Sequence, residues 1–564
     1  MRLIDQFQKL SSFLAERGEQ PGLPALANAL SCSERNARLL LRKMEQLGWL
    51  RWEAARGRGR FSRLQLLASS QQLLLDRVSG LLEKGELEEA FASLDGEQRK
   101  QLAARLPDYL HARAAGDSGA RLRIPLPRSV GTLDPCGVMA AIEGHLIGQI
   151  FSRLTEFDRR TQRLVPALAH YWESDDEGKV WHFWLRPGVR FHDGSDLDPE
   201  DVRHTLLRLR DTPGHYQALY RHLVSVETGS QRRVTCRLQH TDYLWPHFLA
   251  SANASIAPRQ RSADFGLLPV GTGPFRLSRR SEYRLTLSAF EDYYRERALL
   301  DEIDLWVISQ AGASADFDLH FGNGAASPGA TNSMVRMLSG CAYLMCNTTR
   351  PWFRTVAQRM GLADWLTAPD LLDDDDADWR PAAGMLPAWK HRDGGRRHSI
   401  RIPKQTVLTL LTARSDSHLR LAEKIRMRLN AAQIEVKIVA LPFEEFVQRK
   451  WTDVADVALC NEALEDDEDL GCYEWFAGDT QFRRWMSAER NRVLDARLQA
   501  IRRMQDPADR MAAYAAIGRL IVQEGWAIPV AHDVRHVQVD ARVSGAASTA
   551  FGLVPFADLW LRDA

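Results

Sequence analysis

Apolar positions recur at helical spacing from the first residues of the chain. Leu3, Phe7, Leu10 and Leu14 make one stripe, ended by Gly18 and Pro21-Gly22. Leu23, Leu26, Ala27 and Leu30 make a second, with Pro24 suited to a first turn. A third stripe, Ala37, Leu40, Leu41, Met44 and Leu47, predicts a helix from about Glu34 to Leu47. Ser33 is its expected N-cap, with Ser31 paired to Glu34 as the alternative, and Gly48 its stop. The period then shortens to two. Trp49–Ala54 and Phe61–Leu66 read as strands around Arg56-Gly57-Arg58-Gly59-Arg60. Helix, turn, helix and hairpin in that order predict an all-α-rich winged helix-turn-helix over residues 1–68. From Gln71 to Ala114 the pattern is helical again, in runs ending near Leu82, Leu94 and Leu110. This predicts a helical connector over 69–118, serving as packing, a dimer surface or a lever.

Beyond Ala115-Gly116-Asp117-Ser118-Gly119 strands alternate with helices. Arg121–Pro125 and Trp181–Leu185 read as strands, and Glu143–Phe151 as a helix. Pro187-Gly188 and Asp193-Gly194 are turn dipeptides. Asp198-Pro199-Glu200-Asp201 is a helix start, with acids beside the positive end. Gly271-Thr272-Gly273-Pro274 is a backbone bend, since no helix carrying Lys-Ser/Thr follows it. Residues 119–564 are therefore expected to form a large mixed α/β body.

Charge sharpens the first segment. Residues 1–66 carry twelve Lys and Arg against six Asp and Glu, whereas the rest of the chain is net negative by five. On the third helix Arg35, Arg38 and Arg42 share a face. The expected partner is double-stranded DNA. The N-terminal part of a recognition helix meets base edges, which makes Ser33, Glu34, Arg35, Asn36 and Arg38 the candidates for reading sequence, through Arg–guanine and Asn–adenine pairing. Arg42 and Lys43 are placed on phosphate. Arg56, Arg58, Arg60 and Arg63 are placed on backbone or a minor groove. Blander roles stay open: Glu34 as a helix-dipole acid, Arg51 and Arg63 as a cross-hairpin pair.

The 564 residues exceed one compact core, and the 45% hydrophobic and 26% charged content are ordinary for a globular chain. Asp5 interrupts any secretory signal, and no stretch approaches ~20 apolar residues. A cytoplasmic location without membrane contact is expected. The seven cysteines are odd in number and lack metal spacing, so free buried thiols, no metal and no cofactor are expected. Cys341–Cys346 looks like a buried strand. His182, His192 and His532 are assigned to strands as hydrogen-bonded core residues. The acidic runs Asp373–Asp376 and Glu465–Asp469 lack the glycine and spacing of a calcium loop and read as solvated loops, and His391–His398 as a basic loop. There is no Gly-x-Ser-x-Gly, His-Glu-x-x-His or Walker loop, so an enzyme is not expected.

Leu185–Val202, with Val270-Gly-Thr-Gly-Pro-Phe275, Glu291-Asp-Tyr-Tyr294, Leu300–Val307, Asn347 and Ala527-Ile-Pro-Val530, resembles the bacterial family-5 extracellular solute-binding proteins over roughly 120–560. The resemblance implies a two-lobed periplasmic-binding-protein-like body (type II), with the chain crossing between lobes more than once. Leu30-Ser-Cys-Ser-Glu-Arg-Asn36, Leu47-Gly-Trp-Leu-Arg-Trp-Glu53 and Gly57-Arg-Gly-Arg60 resemble the winged helix of SgrR-type transcriptional regulators of gamma-proteobacteria. That family implies a sensor of a small metabolite linked to sugar-phosphate stress. It also implies activation of a small regulatory RNA gene and repression of its own promoter. A crevice between lobes is where an effector (phosphosugar, sugar or peptide) is expected. Asn347, Trp389, Asp456, Asn461 and Trp475 are its candidate lining, with core packing as the competing role for each Trp. A homodimer on two half-sites is a further expectation. The alternative is a solute-binding component of a transporter with an atypical N-terminus. That alternative needs export.

Overall fold

The computed structural model describes residues 2–17, 21–53, 63–84, 87–92, 94, 119–126, 128–138, 140–175, 177–214, 216–307, 317–321, 330–366, 371–372, 376, 378–392, 398–403, 406–448, 450–478 and 481–562. The chain forms two compact units, 1–117 and 118–564.

In the first unit α1 (Arg2–Arg17), α2 (Leu23–Ala29) and α3 (Glu34–Gln46) precede the antiparallel hairpin β1 (Leu50–Glu53) and β2 (Arg63–Leu66). Helices α4 (Ser70–Lys84) and α5 (Leu87–Ala92) follow. Phe7, Leu10, Leu26, Leu30, Ala37, Leu41 and Met44 are wholly buried together, closed over by Leu50 and Leu64 of the hairpin. Phe7 meets Trp49 edge to face at 5.6 Å. Leu73 of α4 packs on the same core. Leu47 leaves its predicted stripe and is 52% exposed, because the chain turns away there as the C-cap of α3. The expected Arg51–Arg63 pair does not form. The register sets Glu53 opposite Arg63 and Arg51 opposite Gln65. Arg56, Arg58, Arg60 and the run through Leu110 lie outside the described residues.

The second unit opens with β3 (Arg121–Leu126), α6 (Ala141–Ile150) and the hairpin β4 (Thr155–Asp158) and β5 (Arg163–Pro166). Then come β6 (Ala169–Ser174), β7 (Val180–Leu185), α7 (Pro199–Asp211), β8 (Leu223–Thr228) and β9 (Arg233–Leu238). Strands β6-β7-β9-β8 form one antiparallel sheet. The chain returns through β10 (Phe275–Arg280), β11 (Arg284–Ala289) and β12 (Glu302–Val307), which continues parallel onto β3. The β6–β9 sheet is thus an insertion within a sheet ordered β10-β11-β12-β3.

Strands β13 (Leu319–Phe321) and β14 (Ala330–Met337) stay with the first core, and the second lobe begins with β15 (Gly340–Cys346), α8 (Val356–Leu366), β16 (Trp379–Pro381), β17 (Val407–Ala413) and α9 (Asp416–Asn430). It ends with β18 (Glu435–Leu441), β19 (Val457–Ala463), α10 (Glu468–Ala477), α11 (Ala488–Arg502), α12 (Pro507–Gln523) and β20 (Ile528–Asp540). One sheet runs through both lobes in the order β13-β20-β15-β19-β17-β18, with β14 and β16 also on β20. Strand β20 belongs to both lobes. Ile528–Ala531 pair with β15, and Ile528, Val530 and Ala531 are buried in the core beneath α8 and α9. Val534–Asp540 pair with β14, and Val537 and Val539 are buried with β3, β11 and α6. The second crossing is β14 into β15 through Leu338-Ser339. Two chain crossings between two cores make a hinged, two-lobed α/β body.

Local chemistry explains the landmarks. Asp198 caps α7 and exchanges hydrogen bonds with Asp201 in a capping box. Gly271 and Gly273 ride on the end of α6, where a Cβ would stand 2.1 Å from Ile150 O and 2.5 Å from Gln149 O. Cys341–Cys346 are buried throughout β15, and all seven cysteines are free. His182 lies in β7, with Nδ1 2.9 Å from Thr235 Oγ1, and His532 lies in β20, with Nδ1 2.7 Å from Gly340 O. His192 does not lie in a strand. It occupies the Phe191–Gly194 turn, with Nε2 3.1 Å from Gly273 O.

Candidate nucleic-acid interface and effector crevice

Two backbone devices fix α3. Ser31, at φ 51°, ends α2 in the left-handed region: its N–H reaches Asn28 O and Cys32 N–H reaches Ala27 O, each at 3.0 Å. Ser33 then caps α3 by accepting from Asn36 N at 3.4 Å. At the far end Gly48, at φ 74°, donates to Glu45 O at 3.0 Å and Trp49 N–H to Met44 O at 2.9 Å. Held at both ends, the helix divides its faces. Ala37, Leu41 and Met44 have no exposure, whereas Ser33, Glu34, Arg35, Asn36, Arg38, Leu39, Arg42 and Lys43 are all exposed. Glu45 is occupied elsewhere, its Oε1 accepting from Trp52 N at 2.9 Å and tying α3 to the hairpin. Arg63 is exposed at the start of β2. Four cations and one amide on a solvated helix face can meet phosphates and base edges.

The second unit brings its predicted lining residues to different places. Asn347, 1% exposed, spends its amide on the scaffold: Nδ2 donates to Thr452 O and Ala455 O, and Oδ1 accepts from Thr349 N and Oγ1. Asp456 lies 2.8 Å from Arg350 Nε and accepts from Thr409 N at 2.8 Å. Trp475 is 2% exposed, stacked on Phe476 and tilted against Tyr343. Asn347 and Asp456 belong to the scaffold, a correction whose cause is that their polar atoms are already satisfied by their own lobe, and Trp475 is packed into the core, its Nε1 without a hydrogen-bond partner among the described residues. Trp389 is half-buried on Phe476 and His391. Asn461 donates to Asp533 Oδ2 at 3.3 Å, and its Oδ1 is buried without a partner among the described residues.

The acidic run is the larger correction. Asp467 and Asp469 are buried, not solvated. Asp467 caps α10 and meets His247 Nδ1 at 2.5 Å, reaching from the second lobe to the segment after β9. Asp469 meets Arg510 Nη2 at 2.6 Å. Nearby, Asp242 accepts from Arg502 Nη2 at 2.5 Å and from Leu244 N at 3.0 Å, and its Oδ2 lies 3.0 Å from His222 Nε2. Phe248 packs edge to face on Tyr473 at 5.4 Å. Burial lifts the Glu465 carboxyl to about 7, with Arg153 opposing and Asp467 and Asp466 adding to the rise. Burial and Glu465 lift Glu474 well above the carboxylate range, and its Oε1 has no partner among the described residues. Sequence spacing did not single out Glu474 or Asp242. The available signal was the apolar setting of the acids, Leu464 before them and Leu470–Tyr473 after. Of the other runs, Asp376 lies 3.4 Å from Lys424, and Arg392 and His398 meet Asp364 at 2.8 and 2.9 Å, while 373–375 and 393–397 lie outside the described residues. Among the described residues no cluster of three or more His, Cys, Asp or Glu could hold a metal ion, and no helix is long and apolar enough to cross a membrane.

Comparison with known proteins matches both units. Residues 2–116 fit the family profile described as sugar transport-related sRNA regulator, N-terminal, and residues 163–363 fit bacterial extracellular solute-binding proteins, family 5, middle. The HTH-type transcriptional regulator SgrR of Yersinia pseudotuberculosis is 30% identical over 461 residues, 79% of this chain and 80% of its own. That of Salmonella typhimurium is 29% identical over 515 residues, 86% and 90% of the two chains. Among solved structures, the periplasmic binding protein DppA of Helicobacter pylori, in complex with the peptide STSA, superposes with TM-score 0.66 at 19% identity, over 79% of this chain and 98% of that one. The oligopeptide-binding protein AppA of Bacillus subtilis, in complex with a nonapeptide, gives 0.67 at 17%, over 79% and 99%. The relatives named are regulators and binding proteins.

Proposed function

Since the chain belongs to the SgrR family of transcriptional regulators, we propose that it binds promoter DNA through α3 and adjusts that binding to a small molecule held by the two-lobed body. One observation carries the DNA half: on α3 the apolar residues are sealed while Arg35, Asn36, Arg38, Arg42 and Lys43 all face solvent. Arg35, Asn36 and Arg38, on the first turns with Ser33 and Glu34, are the base-reading set. Arg42, Lys43 and Arg63 grip phosphate, together with Arg56, Arg58 and Arg60 of the wing sequence. The hinge through β20 and Leu338-Ser339 supports the sensing half, because an effector acts only through its differential affinity for two lobe arrangements. The effector class is a phosphosugar, sugar or peptide, with Asn461 and Trp389 at the crevice. The setting is the cytoplasm, the oligomer a dimer on paired half-sites, and the outputs a small regulatory RNA gene and the protein's own promoter.

The test is DNA binding by the full chain to its own promoter fragment and to a random duplex at several salt concentrations. Arg35→Ala and Arg38→Ala should each erase about 1–3 kcal/mol of preference. Arg42→Ala should weaken both duplexes alike and lower the salt slope by about one. Three variants that bind both duplexes like the parent would refute the assignment.

A further inference from the structure

The sheet ordered β13-β20-β15-β19-β17-β18 ends on β18. That strand pairs with β17 residue for residue over seven positions, with no shift in register. The outer strands β6, β8, β10 and β14, by contrast, each carry a register shift. Such irregularities twist an edge and keep a further strand from pairing with it. Strand β18 has neither an irregularity nor a proline, Pro442 standing just beyond its end.

Its backbone groups divide by parity. Glu435 N–H donates to Thr406 O at 3.1 Å and Leu441 O accepts from Arg414 N at 2.6 Å, so the odd-numbered residues aim at β17. The residues between them aim outward. Ala440 O takes Arg414 Nη2 at 3.1 Å. The N–H and C=O groups of Val436 and Ile438 have no partner among the described residues. Side chains divide in the same way. Ile434 and Val436 are buried with α9, and Ile438 packs on that core. On the opposite face Glu435 and Lys437 are exposed, and neither has an ion-pair partner among the described residues.

The two charges make the edge self-complementary. A two-fold axis brings two identical edges together antiparallel, each residue of one facing a fixed residue of the other. With the axis at Val436, that residue exchanges backbone hydrogen bonds with its own copy, and Ile438 N–H reaches Ile434 O of the second chain. Glu435 then stands opposite Lys437 on both sides of the axis. These are non-hydrogen-bonded pairs, whose Cα atoms approach to about 4.5 Å and bring the side chains closest. Moving the axis to Ile438 sets Lys437 against Val439 and Glu435 against Leu441, and both charges lose their partners. Lys437 thus guards the edge against chance pairing in every register but one that its neighbour Glu435 completes.

We infer that β18 is a dimer edge, on which a second copy of this chain adds its own β18 antiparallel about Val436, with Glu435 and Lys437 of each copy paired across the axis. The inference rests on the dimer named above and supplies its surface, while the assignment of α3 to DNA stands apart from it.

The test is sedimentation velocity of the full chain over a concentration series at low and moderate salt. Glu435→Lys and Lys437→Glu each set like charges opposite one another twice, and each should weaken self-association about 10- to 100-fold. The double variant carrying both changes should return to within about threefold of the parent. An equimolar mixture of the two single variants should also associate, because every facing pair is then opposite in sign. A chain that stays monomeric throughout would overturn both the edge and the dimer. A dimer that all variants form like the parent, or single losses that neither the double variant nor the mixture repairs, would overturn the edge alone.

Discussion

The Asp242–Arg502 pair fastens the segment after β9 to α11 of the second lobe, and removing one partner gives a sharp prediction. Asp242 is fully buried and Arg502 is 8% exposed. Beyond the carboxylate, the guanidinium meets His222 Nε2 at 2.9 Å, the Tyr473 hydroxyl at 3.1 Å, Leu219 O at 3.5 Å and the faces of Phe248 and Tyr473 at 4.8 and 5.0 Å, none of them an anion. Asp242→Ala thus strands a buried cation and should cost about 3–5 kcal/mol. Arg502→Met removes the charge yet leaves Asp242 its Leu244 N–H and His222. Combining both should recover most of the loss, since an apolar pair of similar volume is often tolerated. Urea unfolding of the full chain, followed by tryptophan fluorescence, measures the cycle, with a coupling above about 2 kcal/mol expected. The pH dependence has a fixed sign. Arg502 and His222 overcome burial and hold Asp242 at about 2, below its ordinary value of 3.8. The stabilisation is therefore complete above pH 3.8, amounts to about 2–3 kcal/mol at ~1.4 kcal/mol per unit, and fades as pH falls through 2. If Asp242→Ala stays within about 0.5 kcal/mol of the parent, or the double variant loses the sum of the singles, the pair is not a clamp.

Leu39 is 59% exposed among the cations of α3; Leu39→Ala should leave stability within about 0.5 kcal/mol but cost about 1 kcal/mol of DNA preference, a loss that vanishes on duplexes carrying uracil for thymine if the side chain meets a methyl group. Gly48→Ala should destabilise the first unit by about 1–2 kcal/mol, as read by thermal melting, because the space for a Cβ is open and only the positive φ resists. Ser31→Gly, at φ 51°, should leave the melting temperature unchanged or raise it, and a fall would refute the strain argument. Glu474→Gln should raise the melting temperature of the second unit at pH 8 more than at pH 5. A carboxyl raised above its ordinary 4.5 stabilises below that value and loses the contribution as pH climbs toward the folded one, so a larger gain at pH 5 would contradict it.

Local signals in the sequence were reliable where neighbours in the chain complete the structure. Ser33 and Gly48 bound α3 through partners within a few residues. Asp198 and Asp201 satisfy each other within one turn. Legibility failed where the partner is remote. The acids at 465–469 look solvated until His247, 220 residues earlier in the chain, and Arg510, 41 residues later, come to meet them. Asn347 suits a ligand in isolation, yet Thr452 and Ala455 claim its amide from over a hundred residues away. Arg63 faced the wrong partner on paper because hairpin register depends on the whole ladder, which sets Glu53 against it.

Strand β20 has a consequence for biosynthesis. It pairs with β13, β14, β15 and β16 and fills part of the core of each lobe, yet it is made only as translation reaches residues 528–540. The helices and hairpin that present α3 are complete more than four hundred residues earlier. At roughly 5–20 residues per second, the ribosome exposes a finished DNA-binding fold tens of seconds before the body can acquire its shared strand. A nascent chain is thus able to grip a duplex before it can respond to a metabolite.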